Sequence, residues 1–170
     1  PVKKILNTHQ FDFDKASQAP GWLQELHGTH QPETEQYGIL SFSYCARRPF
    51  HPERFYQYLH CSDWNNGILL RSKGFFWLAS RPDWVGTWSQ AGGTMQYGCA
   101  GRWWTSIPKA KWPEEFIDEI QSNWQEPFGD SRQELVFIGQ NINVRQTYQE
   151  LDACLLTDAE LAEGKSVWRN

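Results

Sequence analysis

The sequence predicts an α+β domain of two layers, in which helices pack on one face of a mostly antiparallel sheet. Segments with strand periodicity and segments with helix periodicity alternate in the order strand, helix, several strands, helix, strand, helix. Short clusters of turn residues separate the strands, as in hairpin-connected sheets. The chain has 170 residues, of which 39% are hydrophobic, and this is enough for one ordinary core.

Hydrophobic periodicity predicts the first strand and the first helix. Residues 37–45 alternate apolar side chains with serines, which is the period of a half-buried strand. Pro52 suits the first turn of a helix that places Phe55, Tyr58 and Leu59 on one side. The sequence therefore predicts a strand followed directly by a helix that packs on it.

A segment rich in glycine and aromatic residues follows, and it predicts an antiparallel meander. We expect strands at residues 68–70, 75–79 and 84–88, joined by turns at residues 71–74 and 81–83. A further hairpin is expected after the meander. It would pair residues 94–97 with residues 102–105 across the glycine-rich stretch between them.

The second half of the chain predicts two helices around one strand. Residues 112–124 place their large apolar side chains on one helical stripe, with Pro113 at the start. The continuous apolar run in residues 134–139 is typical of a central strand whose two faces are covered or nearly so. Asn141 or Asn143 can cap the helix that follows.

The last predicted element is a short helix that begins with a capping box formed by Thr157 and Glu160. Gly164 would close this helix, and residues 165–170 would form a frayed tail. The complete order of elements resembles a ferredoxin-like layout with an extra hairpin.

Charge and composition narrow the class of partner and the location. The net charge is -4 and the pI is about 5.7, so the chain lacks the broad positive field that nucleic acid or an anionic membrane attracts. No apolar run approaches the roughly 18 residues needed to cross a bilayer, and the N-terminal residues do not resemble a signal peptide. We expect a cytoplasmic protein without nucleic-acid or membrane partners.

The four cysteines agree with a reducing compartment. Cys45, Cys61, Cys99 and Cys154 lie far apart and form no CxxC pair, so we expect free thiols. Cys45 and Cys154 are expected to serve as small core residues. Cys99 lies between two small residues in a glycine-rich stretch and is expected to be the most exposed and reactive of the four.

Motifs that carry catalysis are absent from the sequence. There is no GxxxxGK[ST] loop for a nucleotide phosphate, no GxSxG nucleophile and no HExxH metal motif. We therefore expect no catalytic and no cofactor-binding residues in this chain. A small hydrolase or isomerase that uses Asp83 or Glu134 with a histidine is an alternative, although no pairing is specified.

One histidine pair is a candidate for zinc. His27 and His30 form an HxxH pair with Glu33 nearby, and neutral imidazole is a good zinc ligand. No second ligand pair at a typical spacing accompanies it. A solvated polar loop is therefore the preferred interpretation of this segment.

Ten tryptophans in a chain of this length suggest both a core and a contact surface. Trp77 and Trp124 are expected in the core, because large rings supply much of the apolar area that a small domain buries. A second group lies near turns, where rings can meet solvent or a partner. This group comprises Trp84, Trp88, Trp103 and Trp104. A module that binds carbohydrate or another small ligand by ring stacking is the alternative function.

Four cations are candidates for the same contact surface. If the first and second predicted strands are neighbours, Arg47 and Arg48 would converge with Arg71 and Lys73 at one end of the sheet. Such a basic corner would bind a phosphate or an acidic partner loop. An ordinary solvated rim of charges is the alternative.

Several motifs in fixed order resemble one known family. RSKGFFWLA from Arg71, WVGTWSQAGG from Trp84, GRWW from Gly101, QELVFIG from Gln133 and LDACLLTDAE from Leu151 are similar to the C-terminal domain of CobW-type P-loop GTPases. The resemblance extends over nearly the whole chain. It implies a similar two-layer α+β domain.

The resemblance also implies a function. CobW-type proteins join an N-terminal GTPase domain, with sites for GTP and Mg and a CxCC metal motif, to a domain like this one. They are thought to deliver zinc or cobalt to client metalloproteins. Residues 1–36 would then connect to the missing GTPase domain, and residues 37–164 would form the C-terminal domain. Its expected role is to pack on the GTPase domain and help engage the client, without being an enzyme itself.

Overall fold

The computed structural model describes residues 38–60 and 64–168, which belong to one compact unit spanning residues 38–170. The strands of this part are β1 (Ile39–Ala46), β2 (Ile68–Phe76), β3 (Trp84–Ala91), β4 (Thr94–Arg102) and β5 (Gln133–Gln140). Its helices are α1 (Pro52–His60), α2 (Ile117–Ser122), α3 (Val144–Cys154), α4 (Asp158–Glu163) and α5 (Lys165–Trp168). The predicted lead-in segment, residues 1–36, lies outside the described residues.

The five strands form one antiparallel sheet in the order β1-β5-β2-β3-β4. β5 pairs with β1 along its whole length, from Gln133 opposite Ala46 to Gln140 opposite Ile39. Its other edge pairs with β2. The predicted central position of β5 is therefore confirmed, and so is the α+β class.

Helices α1 and α3 pack on one face of this sheet over an aromatic core. The Phe50 ring stacks on Phe55 of α1 at 4.4 Å between centroids and on Tyr44 of β1 at 6.3 Å. Trp88 of β3 meets Phe137 of β5 edge to face at 5.9 Å. The other buried side chains of this cluster are Phe76, Leu135, Leu151 and Cys154. Large rings thus supply most of the apolar area that this small domain buries.

A single buried amide joins three segments at the start of β5. Gln133 has no solvent exposure, and its side-chain oxygen accepts the backbone N–H of Trp77 at 2.9 Å. Its Nε2 donates to the carbonyls of Arg48 at 2.9 Å and of Trp77 at 2.8 Å. Buried backbone groups left without partners are costly, so this side chain fixes how the ends of β1 and β2 meet β5.

Both predicted helix caps are present. The Asn143 side chain accepts the backbone N–H of Gln146 at the start of α3. Thr157 and Glu160 form the reciprocal capping box of α4. The prediction of a frayed tail from residue 165 is corrected, because residues 165–168 form α5. The Trp168 indole donates to the Glu160 carbonyl at 2.8 Å and holds α5 on the preceding helix.

The predicted turn at residues 71–74 is wrong, because these residues lie inside β2. Ser72 is buried and pairs with Phe137 of β5. Glycine is needed at position 74 because β2 approaches β5 closely there, and not because the chain turns. A Cβ atom there would lie 2.0 Å from the Glu134 carbonyl oxygen, so only glycine lets the two strands pair at this point.

Two further predicted elements are also corrected. Residues 94–102 form the single strand β4, which pairs with β3, and the predicted hairpin across residues 98–101 does not form. The helix predicted over residues 112–124 is confined to α2, preceded by a short 3₁₀ turn at residues 114–116. Trp112 and Trp124 still pack on each other, at 5.4 Å between ring centroids.

The prediction that both faces of β5 are covered or nearly so holds for one face and fails for the other, among the described residues. Leu135 and Phe137 are buried under the helices, whereas Val136 and Ile138 on the other face are 39% and 36% exposed. A continuous apolar run marks a central strand but does not show that each face has a partner. The uncovered face is therefore the part of the fold that needs a functional explanation.

We expect the Gly74→Ala substitution to lower the free energy of unfolding by about 2–3 kcal/mol, since the added methyl group must push β2 away from β5. The matched control is Gly93→Ala, where an added Cβ meets nothing within 4 Å and φ is not positive. Urea denaturation of both variants measures the difference. Equal effects at the two sites would show that the close approach is not what requires glycine.

Candidate functional site

The sheet face opposite α1 and α3, here called the open face, carries an apolar strip with two cations beside it. The strip consists of Phe75 from β2 and of Val136 and Ile138 from β5. Lys73 lies directly opposite Val136 and Arg71 directly opposite Ile138. Residues paired across antiparallel strands share a face, so all five side chains project from the same side of the sheet.

On the open face, Glu134 is paired with a cation, whereas Arg71 and Lys73 are not paired with an acidic residue among the described residues. Among the described residues, neither Arg71 nor Lys73 has an ion-pair partner. Glu134, an acidic residue at the same face, is bound by Arg132 with an N–O distance of 2.6 Å. The aliphatic stems of arginine and lysine cover apolar surface while their charged ends stay in water. The open face thus fits an apolar partner surface that carries acidic groups at its rim.

The basic corner predicted from four cations does not form. β5 lies between β1 and β2, so the two strands are not neighbours. β1 ends opposite Gln133, while Arg71 lies opposite Ile138. At about 3.4 Å per residue, these positions on β5 are roughly 17 Å apart.

Arg47 and Arg48 hold the domain together. The Arg47 guanidinium donates to the carbonyls of Asn123 at 2.9 Å and Gly129 at 3.1 Å, where it caps the end of α2. Burial lowers the pKa of Arg47. Arg48 donates to the Leu156 carbonyl and pairs with Asp158 at 2.6 Å. Both were predicted as contact residues of a basic corner, and the structure instead places their donors on partners inside the domain.

The four tryptophans predicted at a contact surface separate by burial. Trp88 and Trp103 are 4% exposed and belong to the interior, which corrects their predicted role. The Trp88 indole donates to the buried Ser72 hydroxyl at 2.7 Å. Trp104 is half-buried. Trp84 is 47% exposed, and the Arg102 guanidinium lies 6.0 Å from its ring centroid.

An ion pair that no sequence pattern indicated fastens α4 to α1. Arg54 binds the Glu160 carboxylate with both terminal nitrogens, at 2.8 and 2.7 Å. The Thr157 backbone N–H donates to the same carboxylate at 2.7 Å. The hydrogen bonds from Arg54, and then that from Thr157, hold the pKa of Glu160 well below its usual range. The capping box could be seen in the sequence, whereas its distant arginine could not.

The described residues contain no group of three or more His, Cys, Asp or Glu side chains that could hold a metal ion. The zinc candidates His27, His30 and Glu33 lie outside these residues, so they remain a sequence prediction. The metal implied by the family resemblance therefore does not fit the described part of the chain. No helix in that part has the length and apolar character that crossing a bilayer requires.

The described cysteines are free thiols. Cys154 is buried, and burial raises its pKa to about 11, in agreement with its predicted core role. Cys99 is exposed, as predicted. Cys45 is exposed at the end of β1, so its predicted core role is wrong, while Cys61 lies outside the described residues.

Together these features define an α+β domain that exposes an apolar strip with two cations beside it. The matching family is described as "Cobalamin synthesis protein cobW C-terminal domain", and it covers residues 39–155. This is more than half of the chain. The chain therefore belongs to the cobW C-terminal domain family.

Relatives and solved structures agree with this family. A zinc-regulated GTPase metalloprotein activator of Dictyostelium discoideum is 52% identical over 171 residues, which cover 99% of this chain and 36% of the relative. A zinc chaperone of Mycobacterium tuberculosis is 31% identical over 75% of this chain and 31% of its own length. The crystal structure of the Zn(II)-bound YjiA GTPase from E. coli shares the fold, with a TM-score of 0.51 and 14% identity over 75% of this chain and 33% of that chain. The chain thus spans about a third of the length of these proteins.

We expect Arg54→Leu to lower the free energy of unfolding at pH 7 by about 1 kcal/mol, because the pair is partly exposed to solvent. The lowered pKa of Glu160 contributes stability that is present above its unfolded value of about 4.3 and is lost as the pH falls further. The variant should therefore lose less stability than the parent below about pH 5. Arg145→Leu on the exposed side of α3 is the control, and parallel pH curves for all three proteins would contradict this coupling.

We expect the full chain to retain less than one zinc per molecule after dialysis, measured by metal analysis. Two imidazoles and one carboxylate from a single segment fall short of the four protein ligands of a structural zinc site, and no second ligand pair at a typical spacing accompanies them. His9→Ala serves as the control for changes at the histidine pair. Stoichiometric zinc that is lost when His27 and His30 are replaced by alanine would show a metal site there.

Proposed function

We propose that this chain is the C-terminal accessory domain of a longer, cytoplasmic, GTP-dependent metallochaperone for zinc or cobalt. In this proposal the open face docks on the GTPase domain of the same protein. The observation that carries the proposal is the exposed apolar strip flanked by Arg71 and Lys73.

We place the GTP and metal sites elsewhere in the longer protein because this sequence lacks the motifs for them. Its relatives are named as a GTPase and as a zinc chaperone, yet the chain spans only about a third of their length. Its sequence contains neither a phosphate-binding GxxxxGK[ST] loop nor a CxCC motif. We therefore assign GTP, Mg and the metal cargo to the rest of the longer protein, and to this chain a role without catalysis.

Docking through the open face has a physical basis in both apolar burial and charge. Phe75, Val136 and Ile138 form a strip that would lose its remaining contact with water against a flat partner. Arg71 and Lys73 lack ion-pair partners among the described residues, so acidic groups on the partner can pair with them at little cost. The expected occupant is an apolar patch of the GTPase domain rimmed by Asp or Glu. The client metalloprotein would then meet both domains together.

Carbohydrate binding by tryptophan stacking finds less support. Of the nine tryptophans in the described residues, Trp84 is the one classed as exposed, and its ring already faces Arg102. A stacking platform needs several accessible rings. The other described tryptophans are buried or half-buried.

The docking proposal is tested with the GTPase region of the longer protein, expressed separately and titrated with this chain by calorimetry. Lys73→Glu reverses one charge on the open face, and Val136→Asp places a charge in the strip. Each should weaken binding by about tenfold or more. Arg145→Glu makes the same charge change as Lys73→Glu on an exposed helical surface, and it should bind like the parent.

Two outcomes would contradict the proposal. Unchanged affinity in both open-face variants, with an intact fold by circular dichroism, would locate the contact elsewhere. A longer reading frame without GxxxxGK[ST] and without CxCC upstream of this segment would remove the GTPase domain itself.

A further inference from the structure

β4 is an edge strand of the sheet that is chemically unprotected. Among the described strands it pairs with β3 alone. The eight residues from Thr94 to Gly101 include no charged side chain and no proline. Natural edge strands are normally protected from further pairing by charged residues, by proline or by β-bulges. In β4 the bulge lies near Ala100, so residues 94–99 form a regular strand.

The pairing register shows which backbone groups of β4 face outward. The hairpin closes at the Ala91–Thr94 pair around the two-residue loop Gly92–Gly93, where only Gly92 has a positive φ. In a two-residue hairpin this closing pair is hydrogen-bonded, and bonded and non-bonded pairs alternate from there. The N–H and C=O groups of Met95, Tyr97 and Cys99 therefore point away from β3.

The opposite edge of the sheet differs from this one. On β1, the carbonyl of Ser43 accepts a hydrogen bond from the Tyr148 hydroxyl of α3. One acceptor of that edge is thus already used. On β4, the outward N–H and C=O groups of Met95, Tyr97 and Cys99 form a regular row.

Two hollows flank β4 on the side of the sheet that carries the helices. One, of about 510 Å³, is bounded by Met95 and Tyr97 and reaches Trp64. The other, of about 360 Å³, is bounded by Gly98 and Cys99 and is lined mainly by apolar side chains such as Leu78. A strand added beside β4 would direct every second side chain toward these hollows. Backbone pairing combined with pockets for alternate side chains is how extended peptides are recognised at sheet edges.

We propose that β4 is a docking edge for an extended segment of a second polypeptide that carries bulky apolar side chains at alternate positions. The segment adds to the sheet as a sixth strand, its backbone pairs with Met95, Tyr97 and Cys99, and its alternate side chains fill the two hollows. The inference rests on the geometry of this edge and not on the docking of the open face.

A second copy of β4 is a poorer occupant. Its side chains on the helix side would have to enter the hollows of the facing copy, although they already make contacts within their own domain. Met95 packs against its own core, and the Tyr97 hydroxyl lies 3.3 Å from Nε2 of its own His60. A different strand with free apolar side chains fits better.

To test this proposal, random peptides displayed on phage are selected for binding to the full chain. The affinity of each enriched peptide for the chain is then measured. Selected sequences should carry bulky apolar residues at alternate positions. Tyr97→Pro removes one outward N–H without breaking a bond to β3, whereas Tyr97→Ala removes the same ring and keeps that N–H. The proline variant should bind about tenfold more weakly than the alanine variant.

Amide hydrogen exchange on the same complexes gives an independent readout. The amides of Met95, Tyr97 and Cys99 should exchange rapidly in the free chain and become protected when peptide binds, while the β3 amides stay protected in both variants. Selected peptides that leave these amides unprotected, or that bind the two Tyr97 variants equally, would overturn the proposal. Amides of Met95, Tyr97 and Cys99 that are already protected in the free chain would also overturn the proposal. Light scattering would then show whether a dimer paired through β4 or a monomer that covers its own edge causes this protection.

Discussion

The placement of β5 between β1 and β2 is the constraint on which the rest of the structure depends. This strand comes last in the chain and must enter the middle of the sheet. Gln133 at its first position satisfies the N–H and carbonyl of Trp77 and the carbonyl of Arg48, all inside the protein. Since the Trp77 carbonyl also accepts the backbone N–H of Phe50, one buried amide connects the ends of three strand segments. A substitution there would leave several buried backbone groups unpaired at once.

The two faces of the sheet have different uses because the aromatic side chains lie mainly on one of them. Trp88 and Phe137 meet under α1 and α3, and Tyr44 and Phe50 extend the same cluster. The opposite face carries fewer rings, and its exposed strip combines Phe75 with the aliphatic Val136 and Ile138 beside the cations Arg71 and Lys73. A tryptophan-rich composition therefore explains how a small domain obtains a sufficient core, and it does not mark the surface by which this domain meets others.

The two proposed contact surfaces use different chemistry of the same sheet. The open face offers side chains, and its specificity would come from an apolar strip and the charges of Arg71 and Lys73. The β4 edge offers backbone groups, and its specificity would come from the hollows beside Tyr97 and Cys99. Because the open face lies opposite the helices while the hollows lie on the helix side, the two partners need not compete. If both proposals hold, one such domain can bind two polypeptides at once.

Local patterns in the sequence determined the elements that depend on near neighbours. The alternation in β1, the start of α1 at Pro52 and the capping box at Thr157 were predicted correctly, because each needs only residues a few positions apart. The order of motifs also indicated the family. The tertiary structure alone decided what Gly74 and Arg47 do, since a close approach to β5 and a pair of carbonyl acceptors come from segments far along the chain. Strand order likewise separated Arg71 from Arg47, because periodicity shows that a segment is a strand but not which strand lies beside it.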